Sequence, residues 1–197
     1  MGKRRLEAAL TLFCDKYPDE PKPAVRWLPF QLNPDLPGSG MPRRDYIERK
    51  WGPGRGPEVY GRVAAVGASV GLAMAFEKIS VQPNTLEAHR LMHYAGEEGR
   101  QDEMAEALFK AYFIECENLV DPKVLADIAV GAGLARDAVV AYLASDDDRA
   151  EVAHADEYAR ISGIGGVPFF IFNRKVGVSG AQESDTLLQA MEQASAR

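Results

Sequence analysis

Gly163-Ile164-Gly165-Gly166-Val167-Pro168-Phe169-Phe170-Ile171-Phe172 is the stretch on which the fold class turns. Its glycines end any helix that precedes them. The apolar run from Pro168 to Phe172 has the length and composition of a buried strand. Asn173-Arg174-Lys175 then reads as a turn and Val176-Gly177-Val178 as a returning strand, so a hairpin is predicted. A closing helix over 183–194 carries Leu187, Leu188 and Met191 on its inner face.

Upstream of this hairpin the pattern is helical. Asp146-Asp147-Asp148 puts negative charge at the start of a helix predicted to reach Ser162, where the helix dipole favours it. A short helix is predicted over 135–144. Asp121-Pro122 supplies a cap and a first-turn proline to another helix. A helix over 101–115 precedes it, and Asn84-Thr85-Leu86-Glu87 reads as a capping box. Residues 58–72 read as one helix, and a short one over 43–51 interrupts the Pro- and Gly-rich segment 33–57. Further back, Ala24 to Leu32 alternates apolar and polar residues and predicts a strand, with Pro29 at an edge. Leu6, Ala9, Leu10, Phe13 and Tyr17 recur at helical spacing until Pro18 stops them. A lone early strand that rejoins a distant hairpin implies an α/β sheet interrupted by an all-helical insertion. The expected division is 1–41 with 163–197 for the sheet-bearing domain and 42–162 for the insertion.

The 197 residues include 46% hydrophobic and 26% charged positions, which are globular values. A chain of this size buries roughly 70% of its unfolded surface, so it needs no disulfide or metal to fold. A net charge of −6 argues against nucleic acid, whose phosphates require clustered Lys and Arg. Lys3-Arg4-Arg5 is short, is followed by Glu7, and reads as the solvated start of a helix. No apolar run approaches the roughly 20 residues of a membrane span, so no membrane partner is expected. The cysteines, Cys14 and Cys116, form no Cys-x-x-Cys, which suits a reducing cytosol; a cytoplasmic location is expected. His89 and His93 stand four apart on one predicted helix, but no carboxylate occupies the position a zincin pattern demands. No metal centre is expected from that pair.

Several segments together carry a resemblance. Gly166-Val167-Pro168-Phe169-Phe170, Trp27-Leu28-Pro29-Phe30-Gln31-Leu32-Asn33-Pro34-Asp35, Asn84-Thr85 with Ala88-His89-Arg90-Leu91, Leu108 to Phe113, and Gly180-Ala181-Gln182 occur in order. The chain resembles, over essentially its whole length, the FrnE-like branch of the DsbA family. The resemblance implies a thioredoxin-like fold with a large helical insertion and thiol–disulfide oxidoreductase chemistry. It implies a proline, Pro168, in cis facing the redox centre. Backbone groups at Val167, with Gly166 and Pro168, would pair with an extended substrate, and His89 would line the same cleft. The dithiol is the redox group, so no metal or organic cofactor is implied. The partner is a thiol or disulfide protein or a small thiol, and an open sheet edge would favour a homodimer.

The departure from the family pattern matters as much. A Cys-Pro-Trp-Cys-type motif lies in that pattern just before Gly-Lys-Arg-Arg-Leu-Glu, and here Gly2-Lys3-Arg4-Arg5-Leu6-Glu7 follows Met1 directly. The first core strand and both cysteines are expected upstream of this chain, so no residue here is assigned a catalytic role. Thiol–disulfide exchange needs an attacking thiolate and a second thiol to resolve the mixed intermediate, so this form is expected to be inactive. A start codon further upstream would restore the pair. Two other functions fit the same residues. One is a glutathione-dependent isomerase or transferase of the kappa and hydroxychromene-carboxylate type. The other is a non-catalytic peptide-binding remnant.

Overall fold

The computed structural model describes residues 1–195. In chain order its elements are α1 (Gly2–Lys16), β1 (Met41–Pro42), α2 (Arg43–Trp51), α3 (Gly56–Ala68), a 3-10 turn (Phe76–Lys78) and β2 (Val81–Gln82). There follow α4 (Leu86–Glu97), α5 (Gln101–Phe113), α6 (Pro122–Gly131), α7 (Arg136–Ala144) and α8 (Arg149–Ile161). The chain closes with β3 (Phe169–Phe172), β4 (Val176–Ser179) and α9 (Ser184–Ser195). They fall into two compact units, Met1–Val25 with Arg160 onward, and Arg26–Ala159. The thioredoxin-like fold with a helical insertion is the architecture expected from the sequence.

In the first unit β3 and β4 form the predicted antiparallel hairpin, with Phe169 opposite Ser179 and Phe172 opposite Val176. Asn173 and Arg174 both have positive φ (48° and 58°), and Lys175 N–H donates to the Phe172 carbonyl at 2.9 Å. This is the I′ geometry that matches the twist of a hairpin, and Asn tolerates the left-handed region better than most residues. The Asn173 amide also donates to the Ala194 carbonyl of α9 at 3.2 Å. Leu6, Ala9 and Phe13 of α1 meet Leu187 and Met191 of α9, and Phe170, Phe172 and Val178 close the cluster from the hairpin. Phe170 and Phe172, two apart on one strand, share a face and stack at 6.4 Å, as pleating requires. Lys16 and Tyr17 clasp Glu192 at 2.7 and 3.1 Å, tying the ends of the two helices.

The strand expected over 24–32 does not form: this segment is extended but lies in no ladder. Side chains of the helical unit take its backbone bonds instead. Trp27 N–H donates to Gln101 Oε1 at 2.9 Å while Gln101 Nε2 donates to the Trp27 carbonyl at 3.1 Å. Gln31 N–H donates to Asp156 Oδ1 at 2.7 Å. Leu28 and Leu32, which alternation would have buried on a sheet, are 63% and 60% exposed. From Trp27 onward the segment therefore belongs with the helices.

The second unit is built on α4 to α7, with Leu91, Met104, Leu125 and Val139 at its centre. Trp51, Tyr60, Phe76 and Phe113 continue it as a chain of ring contacts at 5.4, 4.8 and 5.8 Å. Arg43 is buried beside this chain, stacked 4.6 Å over Tyr60 and donating to Gln82 and to the Tyr112 hydroxyl. Asp121 caps α6 as expected, accepting from Lys123 N–H at 2.8 Å with Pro122 in the first turn. The capping box expected at α4 is only half made. Asn84 Oδ1 accepts from Leu86 N–H at 3.0 Å, but Glu87 turns away to Arg90 and Arg149, each at 2.6 Å. Arg90 is fully buried and donates to the carbonyls of Tyr142, Ser145 and Asp147 at 3.1, 2.9 and 2.8 Å. It thereby satisfies the acceptors that the end of α7 leaves over. The helix expected over 58–72 stops at Ala68, where Val70 and Leu72 N–H both fold back to the Gly67 carbonyl at 3.0 Å.

Candidate functional site

The site expected at Val167 and Pro168 lies in the first unit, on the loop that enters β3. The Val167–Pro168 peptide bond is cis. The Pro168 carbonyl accepts from Gly180 N–H at 2.8 Å, which anchors the loop to the far end of β4. Val167 is 48% exposed, and among the described residues its N–H and carbonyl make no hydrogen bond. Exposed backbone with open bonding groups at the start of a strand is the requirement for adding a peptide strand. Around Gly165 and Gly166 a side chain would meet nothing within 4 Å, so the approach to Val167 is clear.

The first turn of α1 closes the other side. A Cβ placed on Gly2 would stand 2.9 Å from Pro168 Cγ and 3.4 Å from Phe170 Cζ. Only glycine lets the helix start sit this close to the proline. Arg5 reinforces the approach, with its guanidinium donating to the Ala181 carbonyl and pairing with Glu183 at 2.5 Å. The path Arg5, Gly180-Ala181, Pro168 is thus continuous in bonded contacts. Lys3 and Arg5 are not the solvated residues expected from the sequence, since their side chains are 7% and 14% exposed. The reason is phase: Gly2, Leu6, Ala9 and Phe13 fall on one helical stripe, and the residues flanking it share its burial. The first turn of α1 has no acidic residue, so the helix dipole puts a positive end beside Pro168, while Lys3 and Arg4 pair with Glu7 and Arg5 with Glu183.

His89 belongs to the helical unit. It is half-buried on α4 and hydrogen-bonds the Phe30 backbone, close to Asp156. Burial lowers the imidazole from its usual value, and the Phe30 bond and Asp156 offset this in part. Its observed partners hold the extended segment at Phe30. Both cysteines are free and half-buried. Cys116 Sγ lies 3.3 Å from the Ala75 carbonyl, and burial pushes its thiol up, which reduces the thiolate available for attack. Arg5 is the site residue that sequence reasoning missed. The signal was a glycine on the apolar stripe of α1, which implied that the first turn is covered.

Comparison with known proteins bears on the family and the fold. A family model described as a DSBA-like thioredoxin domain matches residues 1–192. The chain is 28% identical over 171 residues to an uncharacterised protein of Bacillus subtilis strain 168, YwbO, covering 85% of this chain and 80% of that protein. The crystal structure of a probable DsbA oxidoreductase of Streptomyces coelicolor superposes with a TM-score of 0.85 at 32% identity. The match covers 98% of this chain and 82% of that one.

Proposed function

Because the chain belongs to the DsbA-like thioredoxin domain family, we propose that it carries the substrate platform of a FrnE-like thiol–disulfide oxidoreductase. The platform is the exposed backbone of Gly166-Val167 before Pro168, and its ligand is an extended thiol- or disulfide-bearing peptide. The observation that supports this most is the pairing of an open Val167 backbone with a glycine-permitted helix start at Pro168. A positive helix start stabilises a thiolate held beside it, which is the electrostatic need of the chemistry. The 197 residues contain no Cys-x-x-Cys, and Cys14 and Cys116 are both free and 102 positions apart in sequence. The chain is therefore a binding body that does not turn over a dithiol by itself.

Two measurements test this. In an insulin-reduction assay the 197-residue chain is expected to add nothing to the rate given by the reductant alone; clear turnover would sink the assignment of no catalytic residue. Titration of 15N-labelled protein with a short cysteine-containing peptide is expected to shift the amides of Gly166, Val167 and Phe169. Shifts confined elsewhere would remove Val167 from the platform.

A further inference from the structure

We propose that His93, Glu97 and Asp148, all within the helical unit, form a site for a divalent metal ion of the zinc type. The ligand atoms of the three residues lie within 4.8 Å of one another. His93 and Glu97 stand four apart on α4, which puts them on one face one turn apart. Asp148 arrives from the turn before α8.

The spacing places the three groups near one another without a hydrogen bond between them. His93 Nε2 lies 3.8 Å from Glu97 Oε1 and 4.0 Å from Asp148 Oδ2. Both separations exceed hydrogen-bond reach, so the imidazole bonds neither carboxylate. Two ligands held about 2.1 Å from one tetrahedral ion stand about 3.4 Å apart, so the two His93 separations close with shifts of about half an ångström and the carboxylates with rotations of their side chains. Charge points the same way. Neighbouring Glu87 and Asp146 are paired by Arg90 and Arg149. Among the described residues, no Lys or Arg lies within ion-pair distance of Glu97 or Asp148, and the histidine is the basic group that both face.

The surroundings already orient one ligand. The Tyr142 hydroxyl lies 3.0 Å from Asp148 Oδ2 and 3.1 Å from the Arg90 carbonyl, two acceptors for a single proton. Arg90 fixes the adjoining turn through the Asp147 carbonyl. Outer partners of this kind set the direction of a ligating carboxylate. One nitrogen and two carboxylate ligands at a half-exposed position leave a fourth place for water, the arrangement of three-ligand zinc sites. A mixed nitrogen and oxygen set favours zinc or cobalt over calcium, which takes oxygen ligands alone.

The test is calorimetric titration of the untagged, chelator-treated chain with Zn²⁺, followed by Co²⁺ absorption to report four-coordination. One ion per chain is expected. Glu97→Gln, on the exposed face of α4, and His93→Ala should each weaken binding by at least about 100-fold, and Tyr142→Phe by about 10-fold. His154→Ala should leave it unchanged. Circular dichroism of each variant separates lost ligation from lost folding, and Glu97→Gln is the variant that removes a ligand without touching the core. Absence of saturable one-to-one binding would overturn the proposal. So would binding that survives both Glu97→Gln and His93→Ala, or that falls equally with His154→Ala.

Discussion

Gly2 decides how closely the first turn of α1 meets Pro168. Its missing Cβ leaves room that any other side chain would take from a proline ring carbon 2.9 Å away. Gly2→Val is expected to cost about 1–3 kcal/mol through overpacking, read as a lower urea midpoint at unchanged slope. His89 makes a different prediction. Burial lowers its imidazole, so as pH falls the unfolded chain takes up the proton first. Its contribution to stability is full above the unfolded value of about 6.5 and is lost as pH falls through the folded value. The urea midpoint should therefore drop between about pH 7.5 and about pH 5.5, and drop less in His89→Gln. Equal drops in both proteins would assign the loss to other groups.

At the scale of elements, the helical unit is held by termini as much as by its apolar core. Arg90 on α4 reaches the carbonyls that α7 leaves over and pairs with Glu87, while Tyr142 returns a bond to the Arg90 carbonyl. Arg90→Met keeps the volume but strands those buried acceptors. We expect it to destabilise the chain by on the order of 3 kcal/mol, seen in a urea transition monitored by helical circular dichroism. The hairpin was legible because its turn chemistry and apolar run agree, and α6 because Asp121-Pro122 states a cap and a first turn together. The early strand misled because alternation reports a pattern and not a partner. Trp27 to Gln31 found Gln101 and Asp156 in place of a neighbouring strand. Glu87 misled for a related reason: two arginines offer a charged acceptor stronger bonds than an amide at the helix start.

For the whole molecule, charge sets what the surface will accept. With 29 acidic against 23 basic residues, the chain should pass heparin and double-stranded DNA columns unretained even at about 50 mM salt, where phosphate attraction is strongest. Retention would mean that a basic face outweighs the net charge of −6. Among the described residues no helix is long and apolar enough to cross a membrane. The insulin-reduction prediction belongs to this scale too, since it rests on the thiols of the chain as a set. Cys14 and Cys116 are both free, lie in different units, and neither stands in a Cys-x-x-Cys.

The sequence by itself determined the helical block and the hairpin, because both are written in contiguous residues whose periodicity and turn chemistry are local, while the resemblance carried by its motifs implied the thioredoxin-like class and the loop at Val167-Pro168. Tertiary structure alone decided that Gly2 admits the start of α1 to Pro168, that Arg5 fastens it there, and that residues from Trp27 join the helices. It alone gathered His93, Glu97 and Asp148, which are separated by up to 55 positions. The physical reason is common to all of these. Contacts between side chains distant in sequence depend on where whole elements pack, and no local pattern of hydrophobicity or charge encodes that placement.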